Sequence, residues 1–197
     1  LKLGRGSEAR LIEIDRSGSS VKTEYPNGIP DAEDENGSWI GKSRTINVAL
    51  VGNPNSGKTT FFNYASGSKE KVANYAGVTI DSKEASYEQS GYRFSIVDLP
   101  GTYSLKSYSP EEIFLRNYIF DNKPDVIVNI IDASNLERNL YLTTQLIDMG
   151  VQVVIAMNMY DELLKRGDKL DHKSLGELFG IPVVPTISSR GKGITKL

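Results

Sequence analysis

Gly52-Asn53-Pro54-Asn55-Ser56-Gly57-Lys58-Thr59, entered from the apolar run Ile46-Asn-Val-Ala-Leu-Val51, is the stretch that decides the fold of this chain. It reads as a buried strand running into G-x-x-x-x-G-K-[ST], the phosphate-binding P-loop. Gly52 and Gly57 let the backbone curl into an anion-holding nest without side-chain clashes. The amides from Asn55 to Thr60 then face the α- and β-phosphates from a helix N-terminus, where the helix dipole favours negative charge. Lys58 has the length to span the β- and γ-phosphates, and the Thr59 hydroxyl is placed to ligate Mg²⁺. A glycine-rich turn without a ligand is the bland alternative, and the apolar strand ahead of the loop counts against it.

The composition surrounding this motif is that of a soluble globular protein, with 39% hydrophobic and 24% charged residues among 197. A net charge of −2 leaves no electrostatic footprint for nucleic acid. Without Cys there is no disulfide framework, thiolate site or iron–sulfur cluster. The one imidazole, His172, stands beside Asp171 with no partners at ligand spacing and reads as an exposed surface residue. No apolar stretch approaches the length of a membrane span. A first residue of Leu rather than Met suggests a piece of a longer protein.

Two regions differ in rhythm. Residues 1–16 carry short strand-like runs, Leu1-Lys-Leu3 and Ala9-Arg-Leu-Ile-Glu-Ile14, and residues 17–44 are rich in Ser, Gly, Pro and acidic side chains. That second composition buries little apolar surface and reads as a linker, from which Trp39 and Ile40 could dock on the neighbouring domain. From residue 45 onward, apolar runs of strand length alternate with helical periods. Strands are expected near 45–51, 80–88, 91–98, 125–132, 151–157 and 182–186. Helices are expected near 57–66, 109–120, 135–149, 161–166 and 171–179, with another beginning near 193. The tight Ser90-Gly91 connection makes the second and third strands an antiparallel hairpin. The remaining strands, separated by helices, should be parallel and covered on both faces. The expectation for 45–197 is thus a three-layer α/β domain, mostly parallel and six-stranded, with one antiparallel hairpin strand at the edge. Ligands in such folds sit at the carboxyl ends of the strands.

The motifs downstream fall at those ends. Asp98-Leu99-Pro100-Gly101 follows the strand Phe94-Ser-Ile-Val97. There an Asp can hold Mg²⁺ through water, and the Gly101 amide can bond a γ-phosphate oxygen. Four such residues also make an ordinary turn. Asn158-Met159-Tyr160-Asp161 follows the strand ending near Met157. The Asp161 carboxylate can accept from guanine N1–H and its exocyclic amine, with Asn158 bracing the P-loop, although a helix N-cap is the plainer role for Asp161. Ser188-Ser189 could offer a backbone N–H to guanine O6. Thr79, in Gly77-Val78-Thr79, lies between the P-loop helix and the second strand, where a mobile loop could bring its hydroxyl to Mg²⁺, or it is simply a strand residue. Each feature has a bland reading alone. Their order along the chain does not.

The motifs Gly52–Thr59, Asn74-Tyr-Ala-Gly-Val-Thr79, Asp98-Leu-Pro-Gly-Thr-Tyr-Ser-Leu105, Tyr108-Ser-Pro-Glu-Glu112, Lys123-Pro-Asp125, Asp132-Ala-Ser-Asn-Leu-Glu-Arg-Asn-Leu-Tyr-Leu142 and Asn158–Asp161 resemble the G domain of the FeoB family, ferrous iron transport protein B. The resemblance covers about residues 45–197, and residues 1–16 resemble the last strands of the FeoA-type domain sometimes fused ahead of it. It implies a P-loop GTPase fold that binds GTP and GDP and hydrolyses GTP. A helical domain and a multi-span membrane domain that moves Fe²⁺ would come after it, at the cytoplasmic face of the bacterial inner membrane. On this reading the chain stops at Leu197 inside the last helix of the G domain. The resemblance also implies stimulation by K⁺ held by Asn55. Two positions depart from the usual pattern. Met159 stands where Lys is usual, which should remove packing over the base and P-loop, and Ile187-Ser188 replaces Ser-Ala. Thr102 stands where related GTPases often carry a water-orienting Gln, so turnover should be slow. A P-loop kinase or ATPase, or a pure interaction module set by its nucleotide, are the competing classes.

Overall fold

The computed structural model describes residues 9–14, 20–25, 44–67, 70–74, 81–89, 92–106 and 108–197. The chain divides into two units, Leu1–Arg44 and Thr45–Leu197. In the first, β1 (Ala9–Ile14) pairs antiparallel with β2 (Ser20–Tyr25), with Ala9 opposite Tyr25 and Ile14 opposite Ser20. The strand β2 falls inside the stretch expected to be linker, 17–44. Val21, Thr23 and Tyr25 alternate with polar neighbours at the period of a strand, and all three favour extended backbone. Leu1–Leu3, Trp39 and Ile40 lie outside the described residues.

The second unit runs β3 (Arg44–Gly52), α1 (Lys58–Ser66), β4 (Glu70–Asn74), β5 (Asp81–Gln89), β6 (Tyr92–Asp98), α2 (Pro110–Asn122), β7 (Val126–Asp132), α3 (Leu136–Asp148), β8 (Val153–Asn158), α4 (Tyr160–Lys165), α5 (His172–Phe179) and β9 (Val183–Pro185). Its sheet has the order β4-β5-β6-β3-β7-β8-β9. The pairs β3–β7, β7–β8 and β8–β9 are parallel, and β5–β6 is the expected antiparallel hairpin. The α/β class is as read, and the edge carries one strand more. β4 pairs antiparallel with β5, Asn74 opposite Asp81, in a segment read as mobile loop. The edge of β5 supplies backbone partners there whatever the side chains are. Near residue 193 the chain forms only a single 3₁₀ turn, Ile194–Lys196.

β3 shows why its run is apolar almost throughout. Ala49 and Val51 pack on one face with Leu115, Ile119, Leu142 and Leu146 of α2 and α3. Val48 and Leu50 pack on the other face with Phe61 and Phe62 of α1. Side chains alternate across a strand, so a strand covered on both faces needs apolar residues at every position. A third cluster, Ile131, Ile155, Met157 and Leu163, anchors the β8 end under α4. The polar interruption of β7, Asn129, is fully buried and donates to Thr143 Oγ1 of α3 at 2.7 Å. These three cores fix the carboxyl ends of β3, β6 and β8, where the motif residues begin.

Candidate functional site

The loop after β3 turns through two left-handed residues, Asn55 (φ 65°) and Gly57 (φ 87°), before α1 starts at Lys58. Gly57 is required twice over. Its φ is one that side chains disfavour, and a β-carbon there would lie 2.2 Å from Asn158 Nδ2. The Ser56 amide closes the loop on the Asn53 carbonyl at 3.2 Å. The chain therefore turns sharply from β3 into α1 within five residues.

Beside it, β6 delivers Asp98. The Lys58 ammonium is hydrogen-bonded to one oxygen of that carboxylate, and the Thr59 hydroxyl donates to the other at 3.5 Å. Both Lys58 and Asp98 are nearly buried, so the pair is little screened by solvent. Leu99 and Thr102 continue the contact with β3 through their amides, to the carbonyls of Leu50 (3.2 Å) and Gly52 (3.1 Å). Pro100 and Gly101 thus lie directly over the P-loop.

The second lobe of the site is built by Asn158, at the end of β8. Its Nδ2 donates to the Ser56 carbonyl at 2.8 Å, and its Oδ1 accepts from the Ser188 amide (2.9 Å) and hydroxyl (2.8 Å). One buried amide therefore ties the P-loop to the loop after β9. Ser188 spends its N–H on this tie, so Ser189 is the member of the Ser188-Ser189 pair outside the network. Met159 adopts φ 56°, and its methyl carbon lies 3.7 Å from where a Gly57 β-carbon would be. It therefore still reaches the P-loop, contrary to the packing loss expected on replacing Lys. Asp161 falls in the first turn of α4 and pairs with Lys165 at 3.3 Å. Desolvation works to raise its pKa, but the Lys165 hydrogen bond and charge, aided by Arg190, hold it below the ordinary carboxylate range. It is thus anionic and partly exposed at the mouth of the site. Gly77, Val78 and Thr79 lie outside the described residues. His172 is half-buried, edge-on to the Tyr160 ring with centroids 6.1 Å apart, rather than exposed.

Tyr103, Arg138 and Glu112, which stand in the quoted motifs without an assigned role, make further contacts around the loop. Asn53 Nδ2 donates to the Arg138 carbonyl of α3 at 3.2 Å, and the Arg138 guanidinium sits 3.9 Å from the centre of the Tyr103 ring. With Pro54, Asn55 and Asp132 they line a cavity of about 230 Å³ beside the P-loop. The start of α2 is a second anchor. Ser109 caps it, accepting from the Glu112 amide at 3.2 Å, while the Glu112 carboxylate takes the Ser104 hydroxyl (2.6 Å) and the Tyr108 amide (2.9 Å). The Ser104 hydrogen bond, with the Tyr108 and Ser109 amides, holds the Glu112 carboxyl below its ordinary range. Ser109-Pro110-Glu111-Glu112 is a helix-start signature, so this anchor was legible in principle. No group of three His, Cys, Asp or Glu residues able to hold a metal by themselves occurs among the described residues.

A parallel-centred sheet with a P-loop after β3, D-x-x-G after β6 and N-x-x-D after β8 defines a P-loop GTPase, or G-domain, fold. The family model described as ferrous iron transport protein B matches residues 46–197, and the chain belongs to that family. An Fe(2+) transport protein A/Fe(2+) transporter FeoB fusion protein of Porphyromonas gingivalis is 53% identical over 153 residues, 77% of this chain and 18% of the relative. The Fe(2+) transporter FeoB of Escherichia coli (strain K12) is 43% identical over 158 residues, 78% of this chain and 20% of the relative. The chain thus spans about a fifth of the length of these curated relatives. Among solved structures, the FeoB G-domain of Methanococcus jannaschii superposes with a TM-score of 0.69 at 41% identity, covering 78% of this chain and 92% of that one. The cytosolic domain of T. maritima FeoB in a GDP form gives 0.75 at 40% identity, covering 78% and 60%.

Proposed function

We propose that this chain is the GTP-binding and GTP-hydrolysing part of a ferrous iron transporter, a nucleotide switch for Fe²⁺ uptake at the cytoplasmic face of the bacterial inner membrane. The observation that carries the reading is the tie made by Asn158. It joins the phosphate loop to the loop after β9, and Asp161 follows three residues later in the first turn of α4, so groups suited to phosphates and to a base begin from one buried side chain. Asp161 reads guanine N1–H and N2, the Ser189 amide faces O6, and the P-loop amides with Lys58 take the phosphates. An adenine-specific kinase or ATPase has no use for Asp161.

Hydrolysis proceeds by in-line attack of water on the γ-phosphate, with Lys58 and the Gly52–Thr60 backbone offsetting the charge that develops. The Thr59 hydroxyl and the Asp98 carboxylate, gathered on one corner beside the P-loop, are hard oxygen donors of the kind Mg²⁺ takes, Asp98 through water, and the Thr79 hydroxyl would be a further donor of the same kind. Bound there, Mg²⁺ would neutralise β- and γ-oxygen charge. Asn55, left-handed on the loop rim, offers a side-chain carbonyl suited to K⁺. The Thr102 hydroxyl is buried and has no hydrogen-bond partner among the described residues, so it is poorly placed to orient water, consistent with slow turnover. In the parent protein a helical domain and a membrane domain would come after this one, and residues 1–16 would close a FeoA-like domain. The naming of the P. gingivalis relative as a fusion supports that last point. The net charge of −2 counts against a nucleic-acid partner.

Measuring phosphate release with GTP and ATP in Mg²⁺, alongside GDP and ADP affinity, tests the reading. Preference for guanine in both supports it, and equal use of ATP would overturn it.

A further inference from the structure

Three side chains one to two turns apart on α3, Arg138, Tyr141 and Gln145, hold the segment that follows Gly101. The Arg138 guanidinium lies over Tyr103 at 3.9 Å, and the Lys106 ammonium lies over the Tyr141 ring at 5.3 Å. Between them the Leu105 amide donates to Gln145 Oε1 at 2.7 Å. Residues 138, 141 and 145 follow the i, i+3, i+7 spacing of one helix face, so a single stripe of α3 grips the segment along its length.

The other end of the same segment rests on the P-loop. A β-carbon on Gly101 would lie 3.1 Å from the Pro54 backbone, tight enough that the loop would have to give by a few tenths of an ångström, and the Thr102 amide is bonded to the Gly52 carbonyl at 3.1 Å. A γ-phosphate held by Lys58 and the loop rim would sit beside this contact, within reach of the Gly101 amide. From this geometry we propose that Gln145, supported by Arg138, is a positioning residue that sets discrimination between nucleoside triphosphate and diphosphate. It touches neither nucleotide. It fixes the Leu105 amide, and through it holds Gly101 where a γ-phosphate oxygen can be met without first ordering the chain. A diphosphate makes no use of Gly101, so its affinity is independent of the clasp. The proposal rests on the GTP-binding reading above.

Leu105 is 9% exposed, so loss of its acceptor leaves an amide with poor access to water. In Gln145→Leu, of similar size but with no acceptor, affinity for a non-hydrolysable GTP analogue in Mg²⁺ should fall about tenfold, or roughly 1.4 kcal/mol. GDP affinity should stay within about twofold of the parent, since its contacts are untouched. Gln145→Glu keeps an acceptor and should restore the triphosphate value. Arg138→Met, a change at an exposed side chain that leaves the core intact, should give a loss of about threefold in the same direction. The measurements are titrations of the full 197-residue chain with fluorescent GDP and with the fluorescent analogue. Equal losses for both nucleotides would show a merely structural role. An unchanged ratio, or a triphosphate affinity that rises in both variants, would overturn the proposal. Failure of the parent itself to bind guanine nucleotides more tightly than adenine ones would remove the GTP reading, and the clasp proposal with it.

Discussion

Replacing Asn158 by Ala should cost more stability than any surface change near the site and should weaken nucleotide binding at the same time. Its side chain makes three hydrogen bonds of 2.8–2.9 Å, to the Ser56 carbonyl and to the Ser188 amide and hydroxyl. All three residues are buried, each 3% exposed or less, so the partners left behind are not compensated by bulk water. A buried polar group stripped of its partner costs about 1–3 kcal/mol. With two backbone groups and a hydroxyl affected, and some relaxation, a loss of roughly 3–5 kcal/mol is expected, a large share of a domain's typical total of about 5–15. Asn158→Asp separates the two halves of the tie. It keeps the acceptor for Ser188 but sets a carboxylate against the Ser56 carbonyl, so it should be at least as damaging. Urea unfolding followed by far-UV circular dichroism gives the stability, and GDP titration gives the binding, expected to weaken at least tenfold. A shift below about 1 kcal/mol for Asn158→Ala with unchanged GDP affinity would refute the bracing role.

Asp161→Asn trades a double acceptor for a mixed donor and acceptor, so preference should move from GTP toward XTP, as paired titrations would reveal; an unmoved GTP preference removes Asp161 from base recognition. Hydrolysis should be faster in KCl than in NaCl at equal ionic strength, with a K⁺ effect of up to about a hundredfold that Asn55→Ala abolishes. Equal single-turnover rates in both salts would end that idea. For Glu112 the folded carboxyl titrates below its unfolded value, so the stability it contributes is full above the unfolded pKa and fades as pH falls through the folded one. The gap in unfolding free energy between the parent and Glu112→Gln should therefore be larger at pH 7 than at pH 3, and a gap independent of pH would count against the Ser104 contact as its cause.

The elements easiest to read in the sequence were those in which one residue pattern admits one packing. β3, β7 and β8 are apolar at nearly every position because two faces need filling, and that alone located the sheet's centre. β4 was missed because an edge strand is specified by its neighbour's free backbone groups. Glu70-Lys-Val-Ala-Asn74 carries no periodic signal of its own. The strand β2 is hidden in the sequence for a different reason: flanking Ser, Gly and Pro outweigh the short alternation of Val21, Thr23 and Tyr25. Within the site, Lys58, Asp98 and Asn158 were legible because each is fixed by distance from a strand end. The roles of Arg138 and Gln145 were not, since what matters about them is the segment they touch, and helix spacing says nothing about which loop lies across a helix.

Met159 shows how the site tolerates a departure from the usual pattern. Position 159 is held from both sides, by the three hydrogen bonds of Asn158 and by the Tyr160 amide on the Thr186 carbonyl at 3.3 Å. Its left-handed backbone is therefore imposed by its neighbours rather than chosen by its own side chain. What remains for that side chain is to cover Gly57, where the P-loop has no β-carbon of its own and where Asn158 has already claimed the polar contacts. A flexible, polarisable thioether can fill that space without a charge that would need a partner there. A lysine would do the same with its methylene stem. The charge at this position is thus dispensable for the loop's shape, and the burden of holding the P-loop to the loop after β9 falls on Asn158.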